Sequence, residues 1–269
     1  MTTSNSSTQP LFVDGMPDSD YRNAFGLAQS SLKHFMVSPA HYLASLEEKK
    51  EPTKAMSFGS AYHAHVLAQD HSKHYAVKEK VDGRSKEGKL YNESFAIENA
   101  GKIIIDKEEH ETLLKMEDAL QSHDIASSLI GDATHREVAV FATYNSPASG
   151  IRLKGMIDGY DSTSGNIFDL KTAEDASPAG FRKAIWDRRY DIQQIHYNWL
   201  LNENGKPVGN FYFIAQEKVP PFAVGVYMIS ASSILKSIEY WKMSLERFGV
   251  CQQTGNYPAY SDEVIEINL

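Results

Sequence analysis

The stretch that decides the fold runs from Gly155 to Lys171 and reads Gly-Met-Ile-Asp-Gly-Tyr-Asp-Ser-Thr-Ser-Gly-Asn-Ile-Phe-Asp-Leu-Lys. Its first apolar segment ends at Asp158, a polar turn containing glycine and serine follows, and a second apolar segment leads into Asp169. Short apolar segments joined by such a turn are typical of neighbouring β-strands. The stretch therefore predicts a hairpin that carries two carboxylates and a lysine.

These side chains are the ones that metal-dependent phosphodiester hydrolysis needs. A metal ion polarises the phosphoryl oxygen, lowers the pKa of the attacking water and stabilises the leaving oxygen. Mg²⁺ is bound through carboxylates, substrate oxygens and waters. We therefore predict Asp158 and Asp169 as ligands of Mg²⁺, with Mn²⁺ as a possible substitute. Residues two apart on a strand share a face, so Lys171 would point the same way as Asp169, and Leu170 would face the packed side. Lys171 could orient or deprotonate the water, or neutralise the charge that develops on the phosphate.

The same stretch also has a simpler interpretation. Aspartate commonly opens a turn, which would account for Asp158 without any chemistry. Asp169 and Lys171 would then be a surface salt bridge on an edge strand. A pattern of three residues arises often by chance, so the remainder of the chain has to decide between the two interpretations.

Length and composition place the chain among ordinary globular proteins. Its 269 residues, 42% apolar and 23% charged, allow one large domain or one domain with an added helical part. The apolar runs are too short for a membrane span, and Met1 to Thr8 lacks the pattern of a secretory signal. The single cysteine, Cys251, excludes an internal disulfide framework and favours a cytoplasmic protein with a packed thiol.

The net charge of −8 is unusual for a protein that binds DNA. It argues against non-specific binding over the whole surface, but it says little about a local basic channel.

The order of apolar patterns predicts an α+β fold with a mixed central sheet and flanking helices. Residues 1–24 are expected to form a flexible lead-in, residues 25 to about 132 a helical addition, and residues 133–269 the sheet core. Ser31 is predicted to cap a short helix. Longer helices are predicted at His41 to Lys50, Glu108 to Leu129, Pro178 to Asn202 and Ser232 to Gln253, and strands at Glu137 to Ala142, Ile151 to Asp158, Asn166 to Lys171, Asn210 to Ala215 and Ala223 to Ile229.

Two predicted helices add candidates to the hairpin. His63 follows Gly59 by one turn in a stretch rich in small residues, where it is either a site residue or a packed core histidine. Gln193 and Tyr197 also lie one turn apart, and both place a polar group inside an apolar helix.

Two groups of cations are candidates for binding DNA phosphates. Arg84, Lys86 and Lys89 lie among glycines in a segment predicted to be a flexible loop. A second group of four lies within the predicted helix from Pro178 to Asn202. In both places a solvated basic surface is the alternative. The second group consists of Arg182, Lys183, Arg188 and Arg189.

Together these residues resemble the PD-(D/E)xK nuclease superfamily, and in particular its RecE-like branch, which is related to lambda exonuclease and to the nuclease domains of RecB and AddB. Asp158 with Asp169-Leu170-Lys171 matches the core motif of the superfamily. Gln193 to Tyr197 matches a Gln-x-x-x-Tyr element, and Gly59 to His63 matches a Gly-x-x-x-His element. Ile157 precedes Asp158, where the name of the superfamily has a proline.

Three shorter segments strengthen the resemblance. Ser30 to Lys33 and Ser38 to Tyr42 resemble the start of the RecE-like domain, and Lys86 to Lys89 resembles a later segment of it. The resemblance extends over about residues 25 to 250.

The resemblance implies an α/β/α core like that of restriction endonucleases. It also implies that His63, Asp158 and Asp169 hold the metal, that Lys171 is catalytic, and that Gln193 and Tyr197 orient the site or the DNA. Glu137 is a further candidate ligand, with a charge at the start of a strand as its alternative.

In functional terms, the resemblance implies an exonuclease that degrades duplex DNA from its ends, 5′ to 3′. The expected product is a 3′ single strand for an annealing protein similar to RecT or Beta. The resemblance further implies a homo-oligomeric ring in the cytoplasm of a bacterium or a phage-infected cell. A ring with a basic channel would reconcile DNA binding with the acidic net charge.

Two other functions remain open. The first is an endonuclease of the same fold that acts in restriction or DNA repair; a version with an iron–sulfur cluster is excluded because it needs several cysteines. The second is a DNA-end-binding module without catalysis, which would have no need for the full set of carboxylates, lysine and histidine.

Overall fold

The computed structural model describes residues 9–47, 51–261 and 263–266. In these residues a mixed seven-stranded sheet lies between two layers of helices, which confirms the predicted α+β fold with a central mixed sheet. The strands are β1 (Leu11–Val13), β2 (Leu27–Ala28), β3 (Tyr75–Lys78), β4 (Ile103–Asp106), β5 (His135–Asn145), β6 (Gly150–Tyr160), β7 (Ile167–Ala173), β8 (Phe211–Glu217) and β9 (Val224–Tyr227). The helices are α1 (Asp18–Asn23), α2 (Gln29–Val37), α3 (Pro39–Glu47), α4 (Lys54–Leu67), α5 (Lys86–Glu98), α6 (Lys107–Gln121), α7 (Asp124–Asp132), α8 (Pro178–Arg188), α9 (Tyr190–Glu203) and α10 (Ala231–Thr254).

The main sheet has the order β1-β5-β6-β7-β8-β9, with β2 added beside β6. Strands β5, β6 and β7 form the antiparallel meander that the short turns predict. β8 then joins β7 in parallel, because α8 and α9 carry the chain back across one face of the sheet. β3 and β4 form a separate parallel pair in the helical part of the chain.

A fork opens in the middle of this sheet. β7 pairs with β6 only at Gly159 and Tyr160, and β2 pairs with the other end of β6 only at Leu153 and Lys154. Between these two pairings β6 has no strand beside it on that edge in the described residues. Asp158 lies in this gap, one residue from the point where β7 leaves β6.

The two faces of the sheet carry different helices. α2, α8, α9 and α10 cover one face around Trp241, and α4, α6 and α7 cover the other around Met116. The alternation along β7 follows this division, since Ile167 packs on the first face and Leu170 on the second. Leu170 therefore faces the packed side opposite Asp169 and Lys171, as the strand period predicts.

Lys154 fixes the N-terminal segment to the sheet beside the fork. Its ammonium is buried and donates to the carbonyl oxygens of Tyr21, Arg22 and Ala24 at 2.9, 3.2 and 2.7 Å. These carbonyls end α1, where a cation is favoured by the helix dipole. The side chain of Lys154 also fills the space beside Gly26, which has a φ of +152°.

The prediction of a flexible lead-in over residues 1–24 is wrong for its described part. Residues 1–8 lie outside the described chain, whereas β1 pairs with β5 at the edge of the sheet and α1 follows it. The apolar triplet Leu11–Val13 is short, so its pairing with β5 could not be inferred from the polar residues around it. The predicted helix at His41 to Lys50 is α3, which ends at Glu47; residues 48–50 are not described.

Two other predictions of local structure also differ. α2 begins at Gln29 after Ala28, so Ser31 lies inside the helix and does not cap it. The predicted flexible loop around Lys86 and Lys89 is largely α5, capped by the Ser85 side chain, which accepts a hydrogen bond from the Gly88 amide at 2.9 Å.

The two long predicted helices are each broken. Glu108 to Leu129 becomes α6 and α7, with His123 accepting a hydrogen bond at the start of α7. Pro178 to Asn202 becomes α8 and α9, because Arg189 adopts a left-handed φ of 54° between them.

Among the described residues, none of the helices is both long enough and apolar enough to cross a membrane.

Candidate active site

The carboxylates of Asp158 and Asp169 meet at the fork. The register of the Gly159–Phe168 pair places Asp158 opposite Asp169, but the strands have separated there and do not continue the ladder. Instead, Oδ2 of Asp158 accepts a hydrogen bond from the backbone amide of Leu170 at 2.8 Å. Where the sheet opens, the Leu170 amide therefore bonds to the Asp158 carboxylate and not to the backbone of β6, and this bond holds the carboxylate in the gap.

Lys171 lies on the same face of β7 as Asp169, and its ammonium forms an ion pair with Oδ1 of that residue. The nitrogen also lies 4.9 Å from the centre of the Tyr190 ring. Burial lowers the pKa of Lys171, but the charges of Asp169 and Asp158 outweigh burial and raise it above its ordinary value. The lysine is therefore a cation at neutral pH.

Asp169 is the most buried charged group of the site, with 1% of its surface exposed. Burial raises its pKa to about 6; Lys171 opposes this shift and the charge of Asp158 adds to it. The site thus has two carboxylates for one lysine, and the surplus negative charge is the kind that a bound cation relieves.

α9 closes the fork from one face of the sheet. Nε2 of Gln193 donates a hydrogen bond to Oδ2 of Asp169. One turn later, the Tyr197 ring packs on Gly155, where a Cβ atom would lie 2.8 Å from the ring. Burial raises the pKa of Tyr197 well above its ordinary value, so this hydroxyl stays protonated.

His63 reaches the same carboxylate from α4 on the opposite face. Its Nδ1 lies 3.5 Å from Oδ2 of Asp158, and its side chain is partly exposed. Gly59, one turn earlier, faces β7, where a Cβ atom would lie 3.7 Å from Oγ1 of Thr172, an ordinary contact distance. The gap between β6 and β7 is what lets side chains from both faces meet.

Glu137 lies across β6 from the site. The pairs on either side of it, Arg136 with Gly159 and Val138 with Ile157, place it in register with Asp158. It does not pair there, because its backbone has a left-handed φ of 49°, which is costly for a residue with a side chain.

Charges from several elements surround Glu137. Burial raises the pKa of its carboxyl, which His74 and His63 oppose and Asp18 reinforces. The structure therefore brings Glu137 into the neighbourhood of His63.

The predicted DNA-binding cations occupy different surroundings. Six of them are exposed and form no ion pair within the described chain. Arg189 instead binds both carboxyl oxygens of buried Asp191 at 3.0 Å and lies over the Tyr240 ring, so its charge is engaged in holding α9. The exposed cations are Arg84, Lys86 and Lys89 near α5, and Arg182, Lys183 and Arg188 on α8.

Two residues near the site had no role in the sequence-based predictions. Tyr190 begins α9 and lies under Lys171, and nothing in its sequence neighbourhood indicates this. Lys33 donates to the carbonyl oxygen of Arg188 at 2.8 Å. The resemblance of the Ser-Ser-Leu-Lys segment to the start of the RecE-like domain could have drawn attention to Lys33. The sequence does not indicate which residue Lys33 contacts.

The donor types at the fork fit a hard divalent cation. Carboxylate oxygens and one imidazole converge on a site with surplus negative charge, and nucleases of this fold generally use divalent metals. In this conformation, and within the described part of the chain, no three His, Cys, Asp or Glu side chains lie close enough to enclose an ion. The site therefore fits a divalent cation in its donor types and its charge, and not in a ready-made arrangement of ligands.

Comparison with solved structures supports the fold. The chain is similar to a protein from Eubacterium rectale named as a candidate exonuclease, with a TM-score of 0.60 and 13% identity over 94% of this chain and 96% of that one. A phage-related exonuclease from Haemophilus somnus matches with a TM-score of 0.37 and 11% identity, over 86% and 96% of the two chains, which is too distant to carry an argument. No curated protein matches the chain.

The family comparison reaches further, because it covers nearly the whole chain. Residues 28–267 match the family described as PDDEXK-like domain of unknown function (DUF3799). This match confirms the PD-(D/E)xK superfamily and, with the site, supports a nuclease; it does not single out the RecE-like branch. The chain with a fork of two aspartates and a lysine between β6 and β7 therefore belongs to the PDDEXK-like family DUF3799.

Proposed function

We propose that this protein is a metal-dependent exodeoxyribonuclease that degrades linear duplex DNA from its ends, in the 5′ to 3′ direction. The observation that carries the proposal is the convergence at one fork of Asp158, Asp169 and Lys171 with His63. The similarity in fold to a candidate exonuclease supports an action at DNA ends.

In this proposal His63, Asp158 and Asp169 hold the divalent cation, with Glu137 as an additional carboxylate. When bound, the ion supplies Lewis-acid stabilisation of the phosphate and a more acidic water. Lys171 is a cation beside Asp169, so it would neutralise the developing charge on the phosphate and orient the water. Gln193 fixes the position of Asp169 by its hydrogen bond, and Tyr197 holds α9 against β6.

The pKa of Asp169 gives a prediction on metal binding. A carboxyl with a pKa of about 6 is protonated below that pH, and a hard cation binds the deprotonated form. We expect the apparent affinity for Mg²⁺ or Mn²⁺ to fall about tenfold per pH unit below pH 6, with proton release on binding, and to be nearly constant above pH 7. Calorimetric titrations in two buffers of different ionisation enthalpy measure both quantities.

A matched variant makes this prediction specific. Asp169→Asn has no proton to release, so its remaining affinity should lose this pH dependence. Equal proton release by the variant and the natural protein would assign the titration to another group.

The nuclease proposal is tested with linear and closed circular duplex DNA of the same sequence, with and without Mg²⁺. We expect metal-dependent loss of the linear form only, with 3′ single strands as intermediates. DNA labelled at the 5′ or at the 3′ terminus reports the direction. Equal cleavage of closed circles would favour an endonuclease of the same fold, and DNA binding without turnover would favour a binding module.

The biological setting belongs to the same proposal. A 3′ single strand is the substrate of an annealing protein such as those similar to RecT or Beta, which we propose as the partner in recombination. A ring of several copies would concentrate the exposed cations around DNA and explain how a chain of net charge −8 binds it.

A further inference from the structure

We propose that α8 binds an unpaired nucleic-acid strand, with Trp186 stacking on a base beside Arg182 and Lys183, and with Lys33 and Arg188 contacting phosphates at the C-terminal end of the helix. This inference rests on the proposed function, since it supplies that site with a path for the strand. It adds two residues, Trp186 and Lys33, to which the family and the sequence pattern assign no role.

Trp186 is the first observation. It is 57% exposed, although the other two tryptophans, Trp199 and Trp241, are half-buried and buried in the core. Arg182 and Lys183 lie one turn before it on α8, so they border the same surface. An exposed tryptophan between cations combines a stacking surface with charge for a phosphate backbone.

The charge of α8 is the second observation. Its cations Arg182, Lys183 and Arg188, less its one acid Asp187, give the helix a net charge of +2, in a chain whose total is −8. None of these three cations has an ion-pair partner in the described chain. The helix is therefore a local basic surface that the protein itself leaves unneutralised.

Lys33 lies at the C-terminal end of this helix. Its ammonium donates a hydrogen bond to the last carbonyl of α8, that of Arg188, at 2.8 Å. Burial, together with the charges of Lys171 and Arg188, lowers the pKa of Lys33 to about 8, and Asp169 opposes this shift. A phosphate placed between these cations would relieve their repulsion, as Asp169 relieves it only in part.

An unpaired strand fits this surface better than intact duplex DNA or an acidic protein. In a duplex the base faces are already stacked on each other, so a tryptophan finds a free base only at an end or in a single strand. An acidic protein would satisfy the cations, but it offers no planar partner for the exposed indole.

The experiment measures binding of oligo(dT) of about 12 nucleotides, within the range of single-strand site sizes, to the full chain in EDTA. Intrinsic tryptophan fluorescence should be quenched on binding, because Trp186 is the exposed indole. By anisotropy of labelled oligonucleotide, we expect Trp186→Ala to weaken binding about tenfold, within the range that stacking on one base provides. Trp186→Phe, which keeps a ring, should retain most of the affinity.

Two further variants separate stacking from other effects. Met243→Ala removes a side chain of similar exposure from α10 and should change neither affinity nor quenching. Lys33→Met should weaken binding and reduce the dependence of log affinity on log salt by about 0.7, the value for one phosphate contact to a single strand. Thermal unfolding of each variant checks that the fold is retained.

Three results would overturn the inference. One is the absence of oligo(dT) binding; another is binding without tryptophan quenching and with equal affinity for Trp186→Ala. The third is a change in molar mass of Trp186→Ala in light scattering at unchanged affinity, which would make the surface a contact between copies. Since binding is measured without metal, failure of DNA cleavage would refute the nuclease and leave this result intact.

Discussion

Replacement of Asp169 by asparagine is expected to abolish DNA cleavage while leaving the protein folded. Asparagine has the same shape and keeps an oxygen for the Gln193 amide, but it cannot supply the charge that a metal ligand needs. The ion provides several kcal/mol of transition-state stabilisation, and every 1.36 kcal/mol is a factor of ten. The loss in the initial rate of nucleotide release from linear duplex should thus be about 10³-fold or more.

The matched control is Asp118→Asn, which removes the charge of an exposed aspartate on α6, outside the fork and on the opposite face of the sheet from α8. It should retain cleavage to within a few-fold, and both variants should unfold cooperatively on heating. Cleavage by Asp169→Asn at the rate of the natural protein would mean that the fork is not the catalytic centre.

A large effect on stability is expected at Gly155, beside the candidate site. A Cβ atom at this position would lie 2.8–2.9 Å from the Tyr197 ring and Cδ1 of Leu200, both in the core between β6 and α9. Neither can retreat without moving α9 away from the sheet. We expect Gly155→Ala to lower the free energy of unfolding by about 2–3 kcal/mol, the upper part of the range for overpacking, as measured by urea denaturation.

Gly131 provides the comparison for this variant. It lies in α7, and among the described residues nothing is within 4 Å of a Cβ atom placed there. Gly131→Ala should be neutral or stabilising by about 0.5–1 kcal/mol, since alanine is favoured over glycine in a helix. Equal effects of the two alanines would show that α9 is not held closely on β6. A further expected consequence of Gly155→Ala is lower cleavage activity, because α9 carries Gln193.

The meander, and the face of the sheet on which each of its side chains lies, were predictable because both depend on local sequence patterns. Alternating apolar residues and short polar turns specify β5, β6 and β7, and a period of two assigns Leu170 to the opposite face from Asp169. The helix breaks were not predictable. Arg189 is neither glycine nor proline, and it takes a left-handed backbone where it can pair with Asp191, which also accepts a hydrogen bond from Ser237 of α10 at 2.6 Å.

The candidate site divides in the same way. Asp158, Asp169 and Lys171 were identified from one hairpin, and His63, Gln193 and Tyr197 from the resemblance of two helices. The geometry that joins them depends on β7 leaving β6 after Gly159 and on β2 pairing further along the same strand. A two-residue strand such as β2 has too little sequence to be recognised, so no local pattern predicts the fork.

The sequence by itself determined which side chains can do the chemistry and which strand faces they occupy, because residue type and a period of two are local properties. The tertiary structure alone decided that helices from both faces meet at one gap in the sheet, that Lys33 lies near Lys171, and that Trp186 remains exposed beside unpaired cations. These are outcomes of packing between residues far apart in the chain. The charge balance of the site belongs with them, since burial, with a smaller contribution from the neighbouring Asp158, raises the pKa of Asp169.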